Sequence, residues 1–354
     1  MRKKNTELKI QDSEFLLIPD PESRILNSLL VAFLLTGSLF FAGATWGAEK
    51  QGGLVLQFDD GWSSWTTVIA PEMKKVGGIA TCFVNNQNLR SSRITMEDLL
   101  SLQNTYSWEV GTHTWHHLNS TSFVRKNGLD RWMNEELNKS MSELRAAGLN
   151  IRSLVFPFNA FDKKLTEAVY PLIETYRRTE RLALANGISA DKSVPGTAID
   201  MAHYVPIDLL KQWIDMAAER NMLLFLYGHR ILPDSSFATG TVVSVTSTTL
   251  TAMVEVTLPP GMDLVLAPDI SRRAVTDYFN IRQVTGKIIE VDRADLTANT
   301  RPGAQFLIGE AYSTRLSDFR ILMEYAASKV NFYTLHDIAT GKYLKEPVNH
   351  SKAP

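Results

Sequence analysis

The chain has 354 residues, of which 44% are hydrophobic and 21% charged, enough apolar content for a packed core in one large or two modest domains. A formal net charge of -1 and the absence of any dense Lys/Arg block give no electrostatic footprint for nucleic acid. Cys82 is the single cysteine, which excludes an intramolecular disulfide and a cysteine-based zinc cluster, so any metal must be held by His, Asp or Glu.

Arg2, Lys3 and Lys4 precede an apolar run over residues 26–44 that ends in Ala42-Gly43-Ala44. This is the pattern of a signal peptide with a small-residue cleavage site. The polar stretch before it is long for that role, and the run is close to the lower limit for spanning a bilayer, so an uncleaved membrane anchor is the alternative. Residues 1–48 are therefore set aside as a leader or anchor, and the catalytic part is expected to be exported: periplasmic, extracellular or membrane-anchored facing outward.

Beyond the leader, strand and helix signals alternate. Apolar strands are predicted at 53–58, 80–84, 108–111, 153–156 and 222–227, with helices at 64–76, 95–103, 128–147, 162–175 and 206–220. Thr95 caps the second helix, with Glu97 and Asp98 in its first turn. Strands that are apolar on both faces and alternate with helices indicate βα units around a parallel sheet or barrel. The pattern changes at residue 236. From there to 312 the chain is rich in Thr and Val in short alternating runs, at 241–245, 252–256 and 287–291, which predicts an all-β module. Thr239-Gly240 followed by Leu250-Thr251-Ala252, and Thr285-Gly286 followed by Leu296-Thr297-Ala298, share one spacing and suggest a weak repeat. A helix at 316–329 and a strand at 330–335 then resume the first pattern. The expected organisation is a barrel over 50–235 plus 313–340, an inserted module at 236–312 and a tail at 341–354.

Three features carry chemistry. Asp59 and Asp60, followed by Gly61, lie at the C-terminal end of the first strand, where two carboxylates can point in different directions. His113 and His117 are four apart, a spacing that on a helical turn brings both imidazoles to one side and suits two ligands to one ion; His116 points elsewhere on such a turn. Two histidines and a carboxylate leave positions open for water and substrate. His229 directly follows the apolar strand 222–227, and strand ends of a barrel converge on one mouth.

At these residues the chain resembles the polysaccharide deacetylases (the NodB-homology group, carbohydrate esterase family 4). Gln57-Phe58-Asp59-Asp60-Gly61 resembles the family's Thr-Phe-Asp-Asp-Gly motif, and His113-Thr114-Trp115-His116-His117 its His-Ser/Thr-x-x-His pattern. Phe156-Pro157-Phe158 and Leu224-Phe225-Leu226-Tyr227-Gly228-His229 resemble its third and fifth motifs. The resemblance implies a distorted (β/α) barrel, here with an inserted all-β domain, and removal of N- or O-acetyl groups from a carbohydrate. It implies Asp59 as general base, His229 as general acid, and Asp60, His113 and His117 as ligands of a divalent metal, Zn²⁺ foremost with Co²⁺, Ni²⁺ or Mn²⁺ as alternatives. The resemblance also implies that the backbone N–H of Phe158 helps hold the oxyanion. Trp62 and Trp115, beside the motifs, are the candidate rings for stacking on sugar, with Trp65 and Phe161 behind them.

Two departures stand out. The arginine that opens the family's third motif is Val155 here, and Arg177, Arg178 and Arg181 are the candidates to replace it. The fourth motif, which supports the acidic histidine, has no clear counterpart; Asp200 and Asp208, the latter near Trp213, are the candidates. The alternatives are a hydrolase of another linear or cyclic amide on the same fold and, from another class, a non-catalytic glycan-binding protein with the β module as the binder. The insertion begins just after His229, so its base is expected at the catalytic mouth, as a lid or an extended substrate wall.

Overall fold

A computed structural model describes residues 50–91, 93–258, 263–270 and 278–344. Residues 1–48, expected to be a leader or anchor, and the tail beyond 344 lie outside the described residues. Among the described residues no helix is long and apolar enough to cross a membrane.

The strands run in chain order as β1 (Gly53–Asp60), β2 (Thr81–Val84), β3 (Glu109–Thr112), β4 (Ser153–Leu154), β5 (Thr175–Thr179), β6 (Leu184–Ala185), β7 (Ser193–Ala198) and β8 (Leu223–Gly228). Seven of them, β1-β2-β3-β4-β5-β7-β8, are parallel, and β1 pairs with β8 to close the barrel, with Leu54 opposite Leu224 and Phe58 opposite Gly228. Only β6 among these is antiparallel, pairing with Leu223 and Leu224 at the start of β8. Alternation along each strand sorts the core into two layers. Leu54, Leu56, Phe58, Cys82, Val84, Leu224 and Leu226 face the surrounding helices. Val55, Phe83, Val194, Leu223 and Phe225 fill the barrel lumen. By the same alternation Gln57 and Asp59 point into the lumen, and Asp59 reaches its mouth.

The helix Met96–Thr105 carries the full capping box at Thr95 and Asp98. The stretch read as one helix over 128–147 is three segments, Leu129–Trp132, a π-helical Met133–Asn138 and Lys139–Ala146. A second π segment, Trp65–Ile69, follows the Asp-Asp-Gly turn. The closing strand is shorter than expected: β17 is Asn331–Phe332, pairing with Gly53 and Leu54. The chain then turns at Thr334 into the helix Leu335–Ala339, whose Leu335 packs into the lumen.

After β8 comes β9 (Arg230–Leu232), then β10 (Ala238–Val245), β11 (Thr249–Ala252), β12 (Leu264–Ala267), β13 (Phe279–Thr285), β14 (Ile288–Val291), β15 (Gln305–Glu310) and β16 (Ser313–Arg315). Strands β10-β11-β14-β13-β12-β15 form a closed antiparallel barrel around Val242, Leu250, Leu266, Phe279, Ile289 and Phe306. Leu307, on the opposite face of β15, packs with Val265 and Ala311 against Met201 and Tyr204 of the α/β barrel. The strand expected at 252–256 ends at Ala252. The apparent repeat is not structural. Leu250–Ala252 is strand whereas Leu296–Ala298 is a 3-10 turn, and Gly240 sits in β10 whereas Gly286 turns between β13 and β14 at φ 57°.

β9 and β16, which flank the small barrel, pair with each other in parallel, Ser313 opposite Arg230. The helix Leu316–Lys329 then covers the α/β barrel, burying Phe319, Leu322 and Met323.

Candidate active site

The mouth of the α/β barrel gathers residues from the C-terminal ends of β1, β3, β5, β7 and β8. Asp59 is 3% exposed and its carboxylate accepts from both Nη1 (3.0 Å) and Nη2 of Arg177, itself buried. Arg177 lies in the lumen, its guanidinium stacked 3.8 Å over the Tyr227 ring. Gly196 on β7 makes room for it, since a Cβ there would lie 2.4 Å from Arg177 Cδ. Burial pushes the Asp59 carboxyl up, but the Arg177 charge and its hydrogen bonds outweigh this and hold it below the usual range.

Asp60 leaves the strand at φ 82°, which swings its carboxylate away from Asp59. Its Oδ1 lies 3.1 Å from His117 Nε2 and 3.6 Å from His113 Nε2, and the two nitrogens are 3.2 Å apart. These three atoms form a near-equilateral triangle. Ligands about 2.0–2.1 Å from one tetrahedral ion would be about 3.3 Å apart. Asp60 Oδ1 is buried and has no hydrogen-bond partner in the protein, which suits an oxygen placed to ligate a cation. His113 donates from Nδ1 to the Val155 carbonyl at 2.7 Å, which turns the Nε2 lone pair toward the triangle. Burial pushes His113 down to about 4, and His117 adds to this against Asp59 and Asp60, so the ring is neutral and able to ligate. The donor set fits a divalent metal.

The two histidines are not on a helical turn. His113 follows the end of β3, and the loop reverses through Thr114 (φ 64°) and His117 (φ 57°) to bring Nε2 of both to one point. His116 turns away, as expected, and donates from its backbone N–H (2.9 Å) and from Nδ1 (2.6 Å) to Glu136, which is fully buried. Asp60, Thr114, His117, Phe158 and Asn159 are five of the nine described non-glycine residues with positive φ, so unfavourable backbone is concentrated at this mouth.

His229 donates from Nδ1 to Asp200 at 2.6 Å, and its backbone N–H reaches the other Asp200 oxygen at 3.3 Å. Burial lowers its pKa, but the Asp200 charge and hydrogen bond prevail and raise it to about 9, with Asp60 and Asp59 adding to the effect. The 3-10 turn Pro157–Asn159 places Phe158, 68% exposed, with its ring 4.8 Å from that of His117.

The segment 47–172 matches the family model described as "Polysaccharide deacetylase". Among solved structures the chain is similar to the Xyl-CE4 domain of a multidomain xylanase from the hindgut metagenome of Trinervitermes trinervoides, at 18% identity over 50% of this chain and 74% of that one, with a TM-score of 0.36. It is similar to a family 4 carbohydrate esterase from Streptomyces lividans in complex with acetate, at 18% identity, 51% and 80% coverage and a TM-score of 0.34. Peptidoglycan deacetylase PdaC from Bacillus subtilis is a third, at 18% identity, 51% and 75% coverage and a TM-score of 0.30. No curated protein matches the chain.

The departures from the polysaccharide deacetylase pattern are resolved locally. Of the three candidate arginines it is Arg177 that reaches Asp59, while Arg178 and Arg181 are exposed. Of the two candidate aspartates Asp200, 1% exposed, holds His229, and Asp208 lies exposed in the first turn of the helix Ile207–Glu219. Trp115 is corrected: it is 5% exposed, with Lys139 4.0 Å and Arg90 5.0 Å from its ring, so it packs rather than presenting a face to sugar. Trp62 is half-buried, with Arg93 and Arg230 both over its ring at 4.3 and 4.4 Å. Trp65 is fully buried and donates to the His229 carbonyl, and Phe161 packs on Phe156 and Tyr176. Glu136 and Tyr312, whose ring lies 5.1 Å from His229, were not singled out by sequence: neither belongs to a motif, and each arrives from a distant element.

Proposed function

We propose that the protein is a metal-dependent carbohydrate deacetylase that hydrolyses N- or O-acetyl groups of a glycan. The observation that carries this is the orphaned buried oxygen of Asp60 facing two converging imidazole nitrogens, between a fixed carboxylate and a protonated histidine. Asp60, His113 and His117 hold the ion, Zn²⁺ by preference for this nitrogen-and-carboxylate set, with Co²⁺, Ni²⁺ or Mn²⁺ as substitutes. When bound, such an ion supplies Lewis acidity toward the acyl oxygen and makes a water acidic enough to ionise near neutral pH.

Asp59 takes the proton of the attacking water. Arg177 keeps it ionised and fixes both its oxygens, at some cost in basicity. His229 carries a proton at neutral pH, and with Nδ1 committed to Asp200 it is Nε2 that delivers the proton to the leaving amine or alkoxide. The Phe158 backbone N–H, presented from a left-handed turn, stabilises charge on the acyl oxygen. The apolar run at 26–44 supports export of the catalytic part.

The test is acetate release across a panel of acetylated glycans with added Zn²⁺ or Co²⁺. Asp59→Asn is expected to abolish release while metal still binds, and unchanged release would sink the mechanism. Metal content should fall in His113→Ala and His117→Ala.

A further inference from the structure

We propose that Tyr312, delivered by the return from the inserted β barrel, is a substrate-contacting and specificity-determining residue that holds the sugar bearing the scissile acetyl group. This rests on the deacetylase reading above and adds to it a binding residue that lies outside every motif. The placement follows from strand register. β9 begins one residue after His229 and β16 one residue after Tyr312; because Ser313 pairs with Arg230 in parallel, Tyr312 and His229 fall side by side. Their ring centroids are 5.1 Å apart at 62°.

The backbone around Tyr312 is fixed while its side chain is not buried. The Ala311 N–H donates to the Asp263 carbonyl (3.1 Å), and the Ala311 carbonyl accepts from the Ala202 N–H (2.9 Å). Ser313 is buried with Oγ donating to the Glu310 carbonyl (2.8 Å), and Glu310 pairs with Arg230. Between these anchors the Tyr312 side chain is presented with the residue 52% exposed. An exposed aromatic on an immobilised turn pays little ordering entropy on binding, which is what a sugar platform requires.

Chemistry identifies what lies over it. His229 gives its proton to the leaving atom, and in a glycan that atom is a substituent of the sugar ring. The ring beside His229 is therefore beside that sugar. Phe158 provides a second exposed ring across the mouth, against His117. The barrel motifs supply the catalytic groups, and the insertion supplies this wall.

The test compares the full chain with Tyr312→Ala and Tyr312→Phe on two substrates, an acetylated oligosaccharide and 4-nitrophenyl acetate, which has the acetyl group but no sugar. Expected for Tyr312→Ala is a fall of about tenfold in the ratio of kcat/KM for the oligosaccharide to that for the aryl ester, carried by KM, with Tyr312→Phe close to the unaltered chain. Equal loss on both substrates, or a displaced pH profile of kcat, would show that the ring only positions His229 and would overturn the proposal. Calorimetric binding of the oligosaccharide with Zn²⁺ present separates this idea from the deacetylase reading. An affinity loss of about tenfold in Tyr312→Ala is expected. Unchanged affinity defeats the Tyr312 assignment even if turnover is normal, whereas binding without turnover of either substrate by the unaltered chain defeats the deacetylase reading alone.

Discussion

Asp59 and Asp60 are neighbours in sequence and opposites in circumstance. Asp59 is locked in the lumen against Arg177, while Asp60, rotated out by its positive φ, keeps a buried oxygen with no donor. The Asp-Asp-Gly and histidine motifs were legible in sequence because each is local. Arg177 was only one of three candidates, since selecting it needs the lumen-facing phase of β5, which the adjacent Arg177-Arg178 pair disguises. Arg177→Met would leave Asp59 buried and unpaired; a loss of about 3–5 kcal/mol in denaturant unfolding is expected, with acetate release abolished. The His229–Asp200 pair gives a pH signature in the metal-free protein. The folded pKa of about 9 lies above the ordinary histidine value, so the stability this histidine contributes is full below about 6.5 and is lost as pH rises through 9. An NMR titration of the His229 ring should show that midpoint, and Asp200→Asn should lower it, because burial is then opposed only by the Asp60 and Asp59 charges.

The elements were read unevenly. Long helices with caps declared themselves, as Thr95 and Asp98 show. β7 did not: no element was expected there, since Pro195 and Gly196 are poor strand formers, yet the strand Ser193–Ala198 is buried throughout, with Gly196 opposite the Arg177 side chain. The histidine spacing anticipated that His113 and His117 come together, but through the wrong element, because a reversing loop and a helical turn can both bring positions i and i+4 together. That loop is braced from outside by Glu136, on the π-helical segment Met133–Asn138, through His116. Glu136→Ala should therefore weaken metal binding by about 10–100-fold although Glu136 is no ligand, as a metal titration of the folded variant would show.

On the scale of the whole molecule, the floor of the α/β barrel is closed by the helix Leu335–Ala339. Leu335 plugs the lumen, and Glu109 accepts from Ser153 Oγ (2.5 Å), Thr81 Oγ1 (3.1 Å) and the His336 N–H (2.7 Å). Burial raises the Glu109 pKa, and the hydrogen bonds offset this only in part. The sign is the reverse of the usual carboxylate case. Stability is greatest below the unfolded glutamate value and declines as pH rises through the folded one. Glu109→Gln should flatten that decline in a series of unfolding midpoints across pH, and an unchanged slope would count against the assignment. The fold class was legible from alternation and from the change of texture at 236, but this floor was not, because the contact that closes it, from the His336 N–H to Glu109, joins residues 227 positions apart.

The β9–β16 pairing has a consequence for how the chain folds. It ties together the ends of a loop of roughly 80 residues, whose closure from a random chain costs about 4 kcal/mol of entropy. If the small barrel forms first, β10 and β15 pair and bring those ends together in advance, so the late-arriving helix Leu316–Lys329 docks as though it followed β8 directly. Any module whose termini emerge side by side could occupy the same place without disturbing the larger barrel, while changing which side chain stands beside His229.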